Sequence, residues 1–410
     1  MAEADPAGAE ALVLPPHVPQ ELALEWPLGP DAEGTDPFGE IIPRIHEGPE
    51  VFYAVNGLAP GMPSWIFRRA EDIRWIFRDK EHFTSAGRPT LSHMLGEDWQ
   101  VIPVDTDGEA HAAYRALLNP LFTPARAARL VDGAHELARE LIARFAGQGS
   151  CEFIGDFARP LPVILFLKMM DWPLERMDEF LKWEAAIISG TSLEQRTSAI
   201  ANIQSFLLDA IAQRRANPGE DLLSELMRGT IGAREPSETE IFGMALNLFL
   251  GGLDTITSMA GWHFRHLALY PEQQAELRAR PEIIRTALEE LLRAYALVTM
   301  NRICVKQVTI RGVTIMPGDT VTVSTPIAGR DPEEYDAPNE IMFDREPVHT
   351  AFAYGRHRCL GAHLARKELA VMLEEFLAAI PEFRIEPGAE VPMHLGAQMG
   401  LHRLPLVWDV

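Results

Sequence analysis

Cysteine is scarce in this chain of 410 residues: the three present, Cys151, Cys304 and Cys359, are far apart and form no CxxC pair. A disulfide framework is therefore excluded, and a reducing compartment is the simpler expectation. Positive charge is also short. With 37 Lys and Arg against 59 Asp and Glu, the formal charge is −22, which argues against general nucleic-acid binding and favours partners that present basic patches. No apolar run approaches a membrane span, the most apolar stretches being broken by Lys168 or by Gly251 and Gly252, so no membrane partner is expected. The acidic, Ala- and Pro-rich opening lacks a basic region and an apolar signal core. A soluble cytoplasmic protein is expected, with residues 1–35 as a loosely ordered arm and residues 36–410 as one domain. No Gly-x-Gly-x-x-Gly follows a strand pattern, so a nucleotide-derived electron would have to be brought by another protein.

What is present reads as mainly helical with a minor β region. Hydrophobic residues make up 47% of the chain, ample for a large core. Strand-like patterns are confined to residues 51–54 with 65–67, to 302–323, punctuated by Arg311-Gly312 and Pro317-Gly318-Asp319, and to a final pair within 393–407. Ser237-Glu238-Thr239-Glu240 is a capping box that opens a helical pattern ending at Pro271. Such a rod is roughly 50 Å long and must be mostly buried. Its apolar residues need no functional explanation. Asn247, Gly251, Asp254, Thr255 and Ser258 share one face, and two adjacent mid-helix glycines cost about 1 kcal/mol each relative to alanine. Close helix packing by the glycines, with Thr255 bonding back to a carbonyl, is the plain alternative.

Cys359 lies in Phe352-Ala353-Tyr354-Gly355-Arg356-His357-Arg358-Cys359-Leu360-Gly361, just ahead of a helical pattern. Unpaired N–H groups at a helix start favour a thiolate, and a thiolate is what a heme iron needs. Gly355 allows a tight turn, Gly361 lets the backbone pass close to a flat cofactor, and Phe352 can pack on the macrocycle. Taken alone, Cys359 could equally be a small buried hydrophobe. The spacing Phe-x-x-Gly-x-x-x-Cys-x-Gly, however, arises by chance on the order of once in a thousand chains of this size. It resembles the heme-binding signature of the cytochrome P-450 monooxygenases, in which the cysteine is the axial ligand of the iron of heme b.

That resemblance extends in order along nearly the whole chain. It implies the family's fold, mainly α with heme between the long central helix and the cysteine loop. Gly251-Gly252-Leu253-Asp254-Thr255 looks like the family's oxygen-activating segment, with the glycines opening a groove, Thr255 holding bound oxygen and Asp254 relaying protons. Lys182 matches a counter-ion of that aspartate in the camphor-hydroxylating branch, whose second basic partner falls at Gly190 here. His111 and Arg115, with Arg302 and His357, match the residues that neutralise the heme propionates. Glu290 and Arg293, completed by Arg345, match a buried structural triad.

The likeness is strongest to the camphor-hydroxylating branch, which implies NADH-derived electrons delivered by a flavin reductase and a [2Fe-2S] ferredoxin. The pocket positions depart from it. Trp99 stands where that branch has a tyrosine hydroxyl, and Asn247 and Gln398 replace aliphatic contacts, while Thr90, Val104, Leu250, Leu297, Val298 and Ala397 are expected as walls. The expected activity is hydroxylation, using O2, of a small hydrophobic substrate, a terpenoid or norisoprenoid-like ketone. A peroxide-driven peroxygenase and a non-catalytic heme sensor are the alternatives.

Overall fold

The structure is a computed structural model describing residues 14–29, 35–59, 62–87, 90–189 and 192–410, with the side chains of residues 58, 59, 90, 188 and 189 outside the described part. Helices dominate. The largest sheet joins β1 (Ala23–Leu24), β2 (Val51–Ala59), β3 (Met62–Phe67), β4 (Phe83–Thr84), β5 (Thr299–Cys304) and β6 (Thr320–Ser324) in the order β1-β2-β3-β6-β5-β4. The hairpin β2–β3 pairs Tyr53 with Trp65, and β5 runs antiparallel to β6 with Arg302 opposite Val321. Arg311 and Gly312 both have positive φ, as a two-residue hairpin turn between Val308–Ile310 and Val313–Ile315 requires.

Two β expectations change. The strand pair expected within residues 393–407 divides between two sheets: Met393–His394 pairs with Gly400–Leu401, whereas Pro405–Trp408 joins Phe383–Ile385 and Ser150–Glu152. The opening arm is not loose over residues 14–29. Val18, Trp26 and Leu28 are buried, Ala23 and Leu24 pair with Tyr53 and Ala54, and His17 Nε2 meets Asp319 Oδ2 at 2.8 Å. Burial of these side chains, with the strand pairing and the His17 contact, holds the segment against the entropy cost of ordering it. Residues 1–13 and 30–34 of that arm lie outside the described part.

Six helices frame the site: α1 (Gly108–Leu118), α2 (Met177–Ser189), α3 (Glu238–Gly252), α4 (Thr255–Leu269), α5 (Ile284–Ala294) and α6 (Ala362–Ala379). The capping box forms as expected, Ser237 Oγ accepting from Glu240 N at 3.2 Å and Ser237 N donating to Glu240 Oε2 at 2.8 Å. The expected continuous rod does not: it breaks at Leu253 and Asp254, between α3 and α4. The break marks a change of core. Residues of α3 up to Leu253 pack with Phe180, Trp172 and Leu118, whereas Ile256, Met259, Trp262 and Phe264 of α4 pack with α5, α6, Phe153 and Phe157. Among the described residues, the stretch Glu238–Leu269 is long and apolar enough to cross a membrane, contrary to the reading that no run reaches that length, and 61% of its most apolar window is buried inside the protein.

Candidate active site

The cysteine loop is closed by backbone geometry. Cys359 N donates to Phe352 O at 2.8 Å, Ala353 N to Thr350 O at 2.8 Å, and Arg358 N to Gly355 O at 3.2 Å. Gly355 has φ +70°, and a Cβ there would lie 2.9 Å from Phe77 O, so both conformation and space demand glycine. Cys359 is surrounded by protein mass, yet its side chain is reachable by solvent, a combination that places the sulfur on an internal cavity. Burial pushes its thiol pKa up, against the N–H of Gly361 and the charges of Arg115, Arg366 and Arg358, which pull it down. The helix start therefore does not by itself favour the thiolate. Coordination to a metal does, because it removes the proton outright.

Positive charge accumulates beside that cavity. Arg356 Nε and His357 Nε2 both meet Asp107 Oδ1, at 2.7 and 2.9 Å, while Thr84 Oγ1 and Ser85 N donate to Oδ2. Burial of Asp107 raises its pKa, but these four hydrogen bonds hold it far below the usual carboxylate range. Arg302 is buried, lies over the Phe77 ring and donates to Asn301 O. Arg115 donates to Arg358 O at 2.8 Å. Neither has an ion pair among the described residues, and the buried His111 Nε2 has no partner. Burial lowers Arg302 to about 10 and His111 to about 4, the latter helped by His357 and Arg115. One carboxylate thus serves a group of cations that has room for further negative charge.

These features fit heme. Among the described residues no three His, Cys, Asp or Glu side chains converge as a metal cage, so Cys359 offers one ligand to an iron that brings its others. The Cβ directions of Gly251 and Gly361 are open, with no atom within 4 Å, leaving flat space. The unpaired Arg115, Arg302 and His111 suit two carboxylates.

At the helix break, Asp254 Oδ2 accepts from Ser258 Oγ at 2.9 Å and from Gln398 Nε2 at 2.8 Å, and Thr255 Oγ1 donates to Gln398 Oε1 at 3.4 Å. Gln398 is held by an isolated bridge to Val298, and Ala397 O accepts from Thr299 N at 2.8 Å. The loop after β-pairing residue His394 thus clamps the break. The two glycines differ in role: a Cβ at Gly252 would lie 2.5 Å from the Phe166 ring, whereas Gly251 faces open space. Gly252 serves helix packing, and only Gly251 opens a groove.

The expected partner of Asp254 is not there. Lys182 is exposed and makes no ion pair among the described residues, and Gly190 lies outside the described part. Instead the backbone N–H of Asp254 faces the carboxyl of Glu184 on α2, a fully buried acid. Burial and the Asp254 charge raise the Glu184 pKa well above the ordinary value, and its Oε1 has no partner. Glu184 was missed in the sequence, although it lies on the apolar stripe of α2, four residues after Phe180 and three before Ile187, where a carboxylate is the signal that could have found it.

Farther out, Arg293 and Glu290, both with 0% exposed side chains, form a bidentate pair at 2.7 Å, and Arg345 Nε donates to Glu290 Oε1 at 3.1 Å. Arg293 also donates to the carbonyls of Gly329, Pro338 and Glu340. Neighbouring Glu289 binds Arg366 of α6 and His349; despite the raising effect of burial, these bonds hold it at about 2. Arg366 in turn lies over Phe352 at 4.4 Å. The pair Glu289–Arg366, missed in the sequence, ties α5 and α6 to the loop.

The expected pocket walls separate. Val298, Asn247 and Leu250 are half-buried, Ala397 is exposed, and Val104 is 50% exposed. Leu297 has 0% exposure and so offers a ligand no surface; its carbonyl accepts from Met399 N instead. Trp99 is buried edge-on against Phe242, and its indole N–H donates to Glu97 Oε2 at 2.6 Å. It cannot donate to a ligand while that bond stands, whereas the Gln398 amide gives one N–H to Asp254 and keeps a second. The Thr90 side chain lies outside the described part.

Comparison with known proteins agrees with this geometry. The family model described as Cytochrome P450 matches residues 167–408. The chain is 36% identical to the probable cytochrome P450 127A1 of Sinorhizobium fredii, over 96% of this chain and 97% of that one. It is 32% identical to the mycinamicin IV hydroxylase/epoxidase of Micromonospora griseorubida, over 85% and 90% respectively. Among solved structures it is similar to that of cytochrome P450 CYP101C1, with a TM-score of 0.85 and 33% identity across 97% of this chain and 100% of that one.

Proposed function

This chain belongs to the cytochrome P450 family, an oxidoreductase that uses O2 to oxidise a small organic substrate, and from that premise we propose that it hydroxylates a terpenoid- or norisoprenoid-sized ketone. Its electrons are read as coming from NADH through a flavin reductase and a [2Fe-2S] ferredoxin, since the chain carries no nucleotide-binding fingerprint of its own. Residues 36–410, with the packed segment 14–29, are taken as one catalytic domain.

The observation that carries the reading is the Cys359 sulfur, open to an internal cavity beside cations that lack carboxylate partners. Cys359 would hold the iron, with Phe352 and the Gly361 backbone beside it, and Arg115, Arg302 and His111 would hold the propionates; His357 contributes through Asp107. Heme b supplies, when bound, the iron at which dioxygen is activated.

The remaining chemistry is proton handling and exclusion of water. The Thr255 hydroxyl donates to Gln398 Oε1 in a long bond of 3.4 Å, and exchanging that bond for one into the cavity makes it the donor there. Asp254 is kept aimed by Ser258 and Gln398, and passes protons to that hydroxyl. Leu250, Val298 and Ala397 exclude water, and Asn247, the amide least tied to the protein, meets a substrate carbonyl. The assignment is tested by the reduced, CO-bound spectrum. A red-shifted Soret band is expected for the wild type and is expected to vanish in Cys359→His; a full thiolate spectrum in Cys359→Ser would overturn it.

A further inference from the structure

The carboxylate at the helix break lacks its expected lysine, and Glu184 beside it is buried away from solvent, whereas two histidines on the C-terminal hairpin reach from the break toward the surface. His394 pairs in register with Gly400, and neither of its ring nitrogens has a partner although both are buried. Buried polar atoms left without partners are costly, and a site that only needed filling would hold an apolar side chain. The position a Gly400 Cβ would take lies 2.5 Å from Ser258 Oγ and 3.0 Å from His394 Nε2. The serine that donates to Asp254 and the imidazole therefore lie within the span of one water. Behind His394, the ring of the exposed His402 lies at 4.9 Å, held by its backbone bond to Pro392 O. Solvent, His402, His394 and Asp254 thus form a line from the surface to the break.

We propose that His402 and His394 are the proton entrance of this enzyme, feeding Asp254 from the C-terminal hairpin rather than from the Lys182 face of α2. The proposal rests on the reading of Asp254 and Thr255 as the relay. Neither histidine is a catalytic residue; both act through Asp254. His402 takes a proton from solvent, His394 accepts it on one ring nitrogen and releases one from Nε2 through a bridging water to Ser258 Oγ, and the serine passes its own proton along its existing bond to Asp254 Oδ2. Each imidazole ends neutral and is recharged from solvent, so no electron moves. The charged or titratable groups facing His394 are Asp254 and His402, with Glu184 and Arg159 beyond Asp254. Burial lowers the His394 pKa and a charged His402 lowers it further, while Asp254 raises it, which leaves an imidazole that readily gives up its proton.

The test uses the heme-loaded protein and two readouts. Titration of isotopically labelled histidines by NMR in the ferric protein is expected to show the His394 midpoint falling when Asp254 is changed in Asp254→Asn and rising in His402→Ala. Oxygen consumption with the ferredoxin system is expected to fall roughly tenfold in His402→Ala, less than is typical of direct proton transfer because water partly substitutes. That loss is expected to be reversed by added imidazole, and the wild-type decline in rate with rising pH to flatten in His394→Gln. His402 is exposed, so its variant tests the entrance even if His394→Gln fails to fold. Wild-type pH profiles in both histidine variants, with Asp254→Asn slow, would overturn the entrance alone. If Asp254→Asn also behaves as wild type, the relay falls and the entrance with it.

Discussion

Around the cysteine loop three carboxylates have cations of their own: Asp107 has Arg356 and His357, Glu289 has Arg366 and His349, and Glu290 has Arg293 and Arg345. Around the helix break, Glu184 and Asp254 face one another, and neither makes an ion pair with a cation among the described residues. The first arrangement fixes charge, because separating any of those pairs leaves a buried charge alone. The second keeps protons exchangeable, because an acid without a cation and an imidazole without a fixed partner change charge at modest cost. Rigidity at the cysteine and proton traffic at the break are thus built from the same residue types with opposite pairing.

The sharpest test of the fixed side is Arg293→Ala. Glu290, with 0% exposure, would lose its bidentate partner and keep only the bonds from Arg345 Nε and Met342 N to one oxygen, and removing one member of such a buried pair costs about 3–5 kcal/mol. Calorimetric unfolding of the variant should show that loss; a drop below about 1 kcal/mol would mean that the pairing contributes little and the contrast between the two sides is false.

Glu368 of α6 is the exception on the cysteine side, and it sharpens the comparison next. It is buried with no cation, its Oε2 lacks a partner, and burial pushes its pKa up to about 8. Because the folded value lies above the unfolded one, its contribution to stability is fully present below about pH 4.5 and is lost progressively as pH rises toward about 8. Glu368→Gln is expected to remove this slope, raising stability at pH 7 by up to about 3 kcal/mol and leaving pH 4.5 nearly unchanged. Urea unfolding at the two pH values measures it, and an equal shift at both would exclude a titration origin.

How much of this the residues revealed in advance follows from the range of each signal. Cys359, Gly355 and the Glu290–Arg293 pair were legible because each is a local pattern: a loop before a helix, or two charges on one helix face. Arg345, fifty residues on, was reached only through the family resemblance. Periodicity carried the central helix but not its break, since the break depends on where Phe166 meets Gly252 and where Gln398 reaches Asp254, contacts between segments distant in sequence. Asp107 and His394 were missed for the same reason. Each is unremarkable among its sequence neighbours and gains meaning only from what lies across the cavity. Lys182 and Leu297 were misplaced because a matched position fixes the backbone and not what the side chain faces.

On the exchangeable side, Thr255→Ala should leave NADH consumption running while product falls several-fold and hydrogen peroxide accumulates, since the donor on the cavity side is gone. Asp254→Asn should instead slow oxygen consumption, roughly tenfold or more, with coupling better preserved. Product per NADH and oxygen uptake, measured together, separate the two; identical behaviour would mean that they are not successive members of one path.

The smallest effect concerns the pocket beside that path. Asn247 is half-buried on α3, one turn before Gly251, whose Cβ direction is open. With the Trp99 N–H given to Glu97 and Gln398 held by its bonds to Asp254 and Thr255, Asn247 is the amide least tied to the protein among the described pocket positions. Asn247→Leu removes one hydrogen bond to a substrate carbonyl, worth about 1 kcal/mol or several-fold in affinity, while keeping a side chain of similar size. Titrations that follow the spin shift of the Soret band should therefore show weaker binding of a cyclohexenyl ketone such as an ionone and unchanged or tighter binding of the matching hydrocarbon. Equal weakening of both ligands would make Asn247 a packing residue, and would move it from the exchangeable side of the molecule to the fixed one.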